Sequence, residues 1–147
     1  MPSLDHQPVA RESRAREITE ADVVLHAAHS GDFYPHHLDV EFCRTQSFGQ
    51  RIAHGTLTFV FAMALQEEAW PQMAPPTSFD RLRFVRPVHI GDRIRVRVTP
   101  IEADGDSLPD FLNLAAERCE VLDQDGHTVL VFEQSRPKAG ASGGGGQ

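Results

Sequence analysis

Residues 56–65 read TLTFVFAMAL, an uncharged and strongly apolar run in a chain of 147 residues. The next three residues, Gln66, Glu67 and Glu68, give the run a polar end. A helix that is apolar on every side belongs in the centre of a protein. The length of the segment 56–70 therefore predicts a buried central helix. A buried strand is the alternative, because threonine and valine favour strands.

The dipeptide His54–Gly55 directly precedes this predicted helix. The Gly55 N–H would lie at the positive end of the helix dipole, where it can face a carbonyl oxygen that gains charge during a reaction. Upstream, Asp32 stands five residues before His37, and Pro35 between them prevents a single helix. A carboxylate and an imidazole at this spacing can point at one spot from two sides. Two such groups are sufficient for general acid–base catalysis, in which one proton is delivered and another is removed.

These residues carry a family resemblance. The strings GDFYPHH, at 31–37, and FGQRIAHG, at 48–55, resemble the motif of MaoC-like (R)-specific enoyl-CoA hydratases of the hotdog superfamily. The string LRFVRPVHIGD, at 82–92, is similar to the central-strand signature of that family. The resemblance covers roughly residues 15–136 and implies an α+β fold. In this fold a single hotdog domain wraps a curved antiparallel β-sheet around a central buried α-helix, and a short helical insertion carries the active-site loop.

The resemblance also implies an activity, the reversible hydration of a trans-2-enoyl thioester to a (3R)-hydroxyacyl thioester. Asp32 and His37 would hold and activate one water, and the Gly55 N–H would polarise the thioester carbonyl. Four further residues are predicted to lie at the substrate site: Ser30, Tyr34, His54 and Met63. Ser30 either orients Asp32 or is only a small turn residue, and His54 braces the turn before the helix. Tyr34 and Met63 stand where the family usually has Asn and Ser, so the acyl group stays open.

Two other functions remain open from the sequence. One is a hotdog thioesterase that hydrolyses an acyl thioester with a carboxylate base, and the other is a non-catalytic hotdog module that binds acyl-CoA or a partner chain. A metal site is a further rival, because five of the eight histidines fall within residues 26–54. Neither an H-E-x-x-H motif nor a Cys–His pairing accompanies them, so we predict no metal and no other cofactor.

Composition limits the partners. A formal net charge of −7 argues against non-specific binding to nucleic acid. No apolar run approaches the roughly 20 residues of a membrane span, and the N-terminus lacks a signal-peptide core. The two cysteines, Cys43 and Cys119, then fit a reducing cytoplasm. We expect a cytoplasmic homodimer, or a higher even oligomer, that acts on a CoA or carrier-protein thioester.

Local signals divide the chain into a polar, flexible lead-in at 1–14, one domain at 15–136 and a disordered Gly-rich tail at 137–147. Thr19 and Asp22 form a capping-box pattern that predicts a helix from Glu20 to just before Gly31. Asp39 is placed to cap a short helix at 40–45. A first strand is predicted at 15–18.

The second half of the chain predicts an antiparallel meander. Alternating or apolar runs favour strands at 79–87, 93–98, 112–122 and 127–134. Asp125–Gly126, between the last two, indicates a type I′ hairpin turn. Arg81, Arg83 and Arg86 either form a solvated strand face or meet the phosphates of CoA.

Overall fold

The structure, a computed structural model, describes residues 9–102 and 113–138. Most of the predicted lead-in and nearly all of the predicted tail lie outside these ranges. The described residues form six strands and four helices. In chain order these are β1 (Arg11–Glu12), β2 (Arg16–Glu17), α1 (Glu20–Ser30), α2 (Pro35–Leu38), α3 (Val40–Arg44), α4 (Gly55–Ala69), β3 (Ser78–Phe84), β4 (Arg93–Ile101), β5 (Leu114–Leu122) and β6 (Thr128–Pro137).

The strands form an antiparallel sheet in the order β1-β4-β5-β6-β3, and β2 also pairs with β4. Strand β4 alternates as its sequence predicts. Ile94, Val96 and Val98 are fully buried, while the arginines between them face away from the core. This alternation gives the sheet one apolar face, and α4 packs there, as expected for the α+β fold.

Helix α4 is the long helix that the apolar run predicts. Its buried residues Leu57, Phe61 and Leu65 join the apolar side chains of the sheet in one core. The expectation of burial on every side is wrong for one face, because Val60 remains 51% exposed. The sheet covers only one side of the helix, so the opposite side of this single chain faces outward.

The predicted helix boundaries before α4 are confirmed. Thr19 and Asp22 form the reciprocal capping box of α1, and Gly31, at φ +81°, ends that helix in the left-handed conformation. Asp39 caps α3 by accepting a hydrogen bond from the Phe42 N–H at 2.9 Å. The four-residue helix α2, which begins at Pro35, corresponds to part of the short helical insertion that the family resemblance implies, although no local signal predicts its bounds.

The turn between β5 and β6 corrects the sequence prediction. A type I′ turn needs positive φ at both central residues. Here φ is +83° at Gly126, but it is not positive at Asp125. The Gly126 N–H donates to the Asp123 carbonyl, and the Asp123 carboxylate accepts from the Asp125 and His127 amides. The Asp123 side chain therefore selects a turn that ends on a left-handed glycine.

Candidate active site

The loop that follows α1 brings the predicted acid and imidazole together. Ser30 Oγ accepts from the Asp32 N–H at 3.2 Å, and Asp32 Oδ1 accepts from the Tyr34 N–H at 3.4 Å. Helix α2 then begins at Pro35 and turns the chain back toward Asp32. As a result, Asp32 Oδ2 and His37 Nε2 lie 3.8 Å apart.

The tautomer of His37 follows from its second nitrogen. Nδ1 lies 2.7 Å from the Ile52 carbonyl oxygen, and because a carbonyl oxygen only accepts, Nδ1 carries the proton. Burial lowers the pKa of His37 and outweighs the opposing effect of the bond to Ile52, so the ring is neutral near pH 7. Nε2 therefore presents a lone pair to the Asp32 carboxylate.

Two acceptors 3.8 Å apart cannot hydrogen-bond to each other directly. A water between them can donate one hydrogen to Asp32 Oδ2 and the other to His37 Nε2. His37 is nearly buried, while the Asp32 side chain is 38% exposed. The pair is thus arranged to hold one water at the edge of a cavity rather than to form an ordinary ion pair.

The cavity beside this pair has a volume of about 410 Å³ and reaches the first turn of α4. Gly55 lines it, and among the described residues no acceptor takes the Gly55 N–H. The ring of Phe84 lies so close that a Cβ on Gly55 would come within 2.6 Å of it. The lining residues are Asp32, His37, Ile52, Ala53, Gly55, Thr56, Thr58, Phe84, Val85, Arg86, Pro87, Val88 and Val129.

The other predicted site residues do not line this cavity. Ser30 and Tyr34 border a shallow surface depression on the outer side of Asp32, and Tyr34 is 64% exposed. Met63 lines a second cavity, of about 650 Å³, near the end of α4. His54 is fully buried, and its Nε2 lies 2.9 Å from the Asp32 carbonyl oxygen. The structure therefore gathers Asp32, His37 and Gly55 around one cavity. Ser30, Tyr34 and His54 contact Asp32 from outside that cavity, and only Met63 lies apart.

Sequence reasoning missed several residues that build the site. The Ile52 carbonyl fixes the tautomer of His37, but a main-chain atom leaves no signal in a residue pattern. Phe84 and Val129 form part of the cavity wall from β3 and β6. Their positions follow from the register that pairs Phe84 with Leu130, which no local pattern contains.

Asp32, His37 and His54 offer ligand atoms within 4.8 Å of one another, a spacing compatible with a metal ion. However, the His37 and His54 rings stack with centroids 3.8 Å apart and planes 25° from parallel. An imidazole binds a metal through a lone pair in its ring plane, and nearly parallel stacked rings direct these lone pairs along separate planes. The geometry is a poor metal site, and the absence of a metal remains our prediction.

The chain matches a known protein family. Residues 3–106 match the family described as the MaoC like domain. The chain belongs to the MaoC-like domain family. The match includes Asp32, His37 and Gly55, the three residues that share the cavity.

Named relatives of this MaoC-like chain span different shares of its length. It is 33% identical over 137 residues to the 3-hydroxybutyryl-CoA dehydratase of Methylorubrum extorquens, covering 88% of this chain and 85% of that protein. It is 36% identical over 87 residues to the (R)-specific enoyl-CoA hydratase of Rhodospirillum rubrum, covering 59% of this chain and 60% of the relative. It is also 36% identical to protein MaoC of Klebsiella aerogenes over 85 residues, 57% of this chain, but spans only 25% of that protein.

A solved structure extends the similarity to the fold. The R-hydratase of Pseudomonas aeruginosa matches with a TM-score of 0.68 and 32% identity, covering 90% of this chain and 83% of that one. The predicted hotdog fold is confirmed. None of the helices in the described ranges has the length and apolar character needed to cross a membrane.

Proposed function

We propose that this protein catalyses the reversible hydration of a trans-2-enoyl thioester to a 3-hydroxyacyl thioester. The observation that carries the proposal is the pair of acceptors, Asp32 Oδ2 and His37 Nε2, which lie 3.8 Å apart at the edge of a cavity that Gly55 also lines. One group of atoms can therefore hold a water while another polarises a carbonyl. The names of the relatives, an enoyl-CoA hydratase and a hydroxybutyryl-CoA dehydratase, support the same reaction.

In the proposed reaction the water held between Asp32 and His37 adds across the C2=C3 double bond. Its oxygen forms a bond to C3, and one of its protons passes to the carboxylate or the imidazole. A proton from this pair is then delivered to C2, so the atoms of one water are added and the pair returns to its starting state. The neutral His37 ring suits this role because its Nε2 lone pair is available near neutral pH.

The Gly55 N–H supplies the second requirement. Attack at C3 moves negative charge onto the thioester oxygen, and an N–H at the start of a helix stabilises charge at that point. Loss of one such donor typically costs about 3–4 kcal/mol of transition-state stabilisation. Because Gly55 donates from the main chain, substitution of its neighbours leaves this donor in place.

The thioester is carried by CoA or by a carrier protein, since both present the same pantetheine arm. Arg86 lines the cavity and is exposed, so its guanidinium is available to a phosphate group at the cavity mouth. We propose that Arg86 meets the anionic end of the carrier. The two cysteines, Cys43 and Cys119, are buried free thiols, which supports a reducing, cytoplasmic location.

We also propose that the protein acts as a homodimer formed along β3. This strand lies at the end of the sheet order and exposes Phe79, Leu82 and Phe84 by 38–55%. An exposed apolar edge strand is a ready template for pairing with a second chain. Light scattering at micromolar concentration is expected to give twice the chain mass. A mass equal to one chain would contradict the proposal.

A panel of enoyl-CoAs of different chain length tests the activity. Hydration is followed by loss of enoyl absorbance, free thiol is measured in parallel, and the chirality of the product is determined. We expect hydration to a (3R)-hydroxyacyl product without thiol release. Thiol release without hydration would instead favour the thioesterase alternative, and binding without either reaction would favour the non-catalytic module.

A further inference from the structure

Two histidines connect the catalytic loop to the segment before α4 in opposite directions. His37, in the loop, donates from Nδ1 to the Ile52 carbonyl at 2.7 Å. His54, in the segment, lies with Nε2 2.9 Å from the Asp32 carbonyl oxygen, so Nε2 is its protonated nitrogen. The Ile52 N–H also donates to the His36 carbonyl at 2.9 Å. The loop is thus fastened at both of its catalytic residues.

His54 also supports the His37 ring by direct contact. The two rings stack at 3.8 Å, and the exposed fraction of His54 is 0%. His54 lines neither of the two cavities, so it has no access to a substrate held beside Asp32. Its contacts are to the two residues that hold the water, one through a hydrogen bond and one through a ring face.

The position of His54 has two local costs. It is the N-cap residue of α4, yet its side chain makes no capping hydrogen bond. Its Nδ1 is buried and finds no partner among the described residues. A buried acceptor without a partner is unfavourable, and a serine, threonine, asparagine or aspartate would cap the helix better. These costs are offset if the orientation of His54 serves the neighbouring loop.

We propose that His54 is a positioning residue that sets the separation of Asp32 Oδ2 and His37 Nε2. Its Nε2–H fixes the main chain of Asp32, and its ring fixes the plane of the His37 imidazole. This role rests on the proposed hydratase function. A displacement of about 1 Å in a catalytic group can cost on the order of 100-fold in rate. The loss of the hydrogen bond alone is therefore expected to lower turnover strongly without touching the substrate.

Three substitutions separate the two contacts. His54→Phe keeps a ring for stacking but removes the donor, His54→Gln keeps a donor at a similar reach but removes the ring, and His54→Leu removes both. His36→Phe is the matched control, because the His36 ring also lies 5.0 Å from the His37 ring but has no side-chain hydrogen bond within the described ranges. All four variants are compared with the wild type as full chains, in kcat and KM separately.

We expect His54→Phe to lower kcat roughly 10–100-fold with KM changed less than about threefold, since the substrate contacts stay intact. His54→Gln should recover most of that loss, and His36→Phe should retain wild-type turnover. A His54→Phe enzyme with wild-type kcat, or a His54→Gln enzyme no better than His54→Phe, would overturn the proposal. If His54→Phe does not fold, the kcat of His54→Leu is compared with that of His54→Gln instead, and His54→Leu takes the place of His54→Phe in both criteria.

A second measurement needs no substrate and so separates this proposal from the proposed function. Nitrogen-15 NMR of the ligand-free wild type should find His54 protonated at Nε2 and His37 at Nδ1. His37 should stay protonated at Nδ1 in every variant, because the Ile52 carbonyl still accepts that proton. The nitrogen-15 shift of the Phe33 amide, which reports on the Asp32 carbonyl, should change in His54→Phe and in His54→Leu and stay at its wild-type value in His36→Phe. A His54 ring protonated at Nδ1 in the wild type would refute the role of His54, even if the enzyme hydrates enoyl thioesters.

Discussion

Two groups of polar residues lie toward opposite ends of α4, and they differ in whether their hydrogen-bond acceptors have donors. The first group is the pair that we propose to be catalytic, Asp32 and His37, called the catalytic pair below; it lies beside the start of the helix. The Glu117 cluster is joined to α4 near its end through Gln66. We define this cluster as Arg11, Gln66, Glu117, Gln134 and Arg136.

Within the Glu117 cluster each acceptor has its donors. Glu117 Oε1 accepts from Arg11, and Oε2 accepts from Gln134 at 2.8 Å and from Arg136 at 2.9 Å. Gln66 Oε1 accepts from Gln134 at 2.7 Å and Arg136 at 3.0 Å. This network ties α4 to three strands of the sheet, and Arg136 also holds the Ala74 carbonyl. The carboxylate and amide oxygens of the network are thus paired, although the buried Arg11 Nε has no partner among the described residues. A buried network with its acceptors paired in this way helps to fix the fold.

The catalytic pair leaves Asp32 Oδ2 and His37 Nε2 without a direct partner, and both face a cavity. This difference distinguishes polar residues that stabilise the fold from polar residues that are available to a substrate. Groups that complete each other's hydrogen bonds hold elements together, whereas groups that are held in place and left incomplete are available to a substrate. Changes in the two groups should therefore affect different measurements.

The largest expected effect is on turnover at the catalytic pair. Asp32→Asn removes the base and keeps the shape, while His37→Gln keeps a polar group and removes the titrating ring. Each change should lower kcat by about 10²–10⁴-fold, because proton transfer to and from the water is lost. Steady-state hydration assays measure this effect, and full activity in either variant would remove that residue from the mechanism.

The next effect is on stability, at the other end of the helix. Glu117→Leu leaves the Arg136 guanidinium, with 6% of its side chain exposed, without its carboxylate partner. Breaking such a buried pair typically costs about 3–5 kcal/mol of unfolding free energy, measured by urea denaturation. Turnover per folded molecule should stay near wild type. Glu68→Gln, which breaks the exposed pair with Arg14, is the control and should leave stability unchanged.

A smaller effect is the pH dependence of stability, which differs between the catalytic pair and the Glu117 cluster. Burial lowers the pKa of His37 below 6.5. As the pH falls below about 6.5, the His37 ring is therefore protonated in the unfolded chain before it is protonated in the folded chain, and the free energy of unfolding decreases. Burial alone would raise the pKa of Glu117, but hydrogen bonds from Gln134 and Arg11 lower it below 4.5. Its contribution is therefore lost only as pH falls below about 4.5.

Urea denaturation at pH 7 and pH 5 distinguishes the two windows. Wild type should lose stability between these values, and His37→Gln should lose less. Some slope should remain in His37→Gln, because burial also lowers the pKa of His26. An equal slope in wild type and His37→Gln would mean that the His37 ring is not held neutral by the fold.

The smallest expected effect is that of metal removal. The His37 and His54 rings are stacked, so the lone pairs of their nitrogens do not point at a common metal position. Prolonged treatment with a chelator should therefore leave turnover unchanged. Activity that is lost on chelation and restored by added zinc would replace the paired-acceptor mechanism with a metal-bound water.

Local signals predicted the parts of this fold that depend on neighbouring residues. The capping box at Thr19, the left-handed glycine at 31 and the apolar run of α4 each act within one or two turns, so the sequence contains them in full. The predicted type I′ turn at Asp125–Gly126 was wrong because the Asp123 side chain, two residues before Asp125, determines the turn type. The exposed face of α4 was missed because exposure depends on what covers the helix.

For the site, the sequence predicted the residue types but not their arrangement. Asp32, His37 and Gly55 were found by spacing and resemblance, and they share one cavity. Met63 was assigned to the substrate site by resemblance, because it stands where the family often has Ser, and it lines the other cavity. The Glu117 cluster was not predicted, because its members come from α4 and strands far apart in sequence.

The most direct measurement of the central claim is a double-mutant comparison of Asp32→Asn, His37→Gln and the variant carrying both changes. If the two groups act on one water, the double variant should turn over little more slowly than the worse single variant, because members of one catalytic unit are not additive. Binding of an inert acyl thioester should survive in all three, since the Gly55 N–H is unchanged. Losses that multiply in the double variant would contradict a shared water.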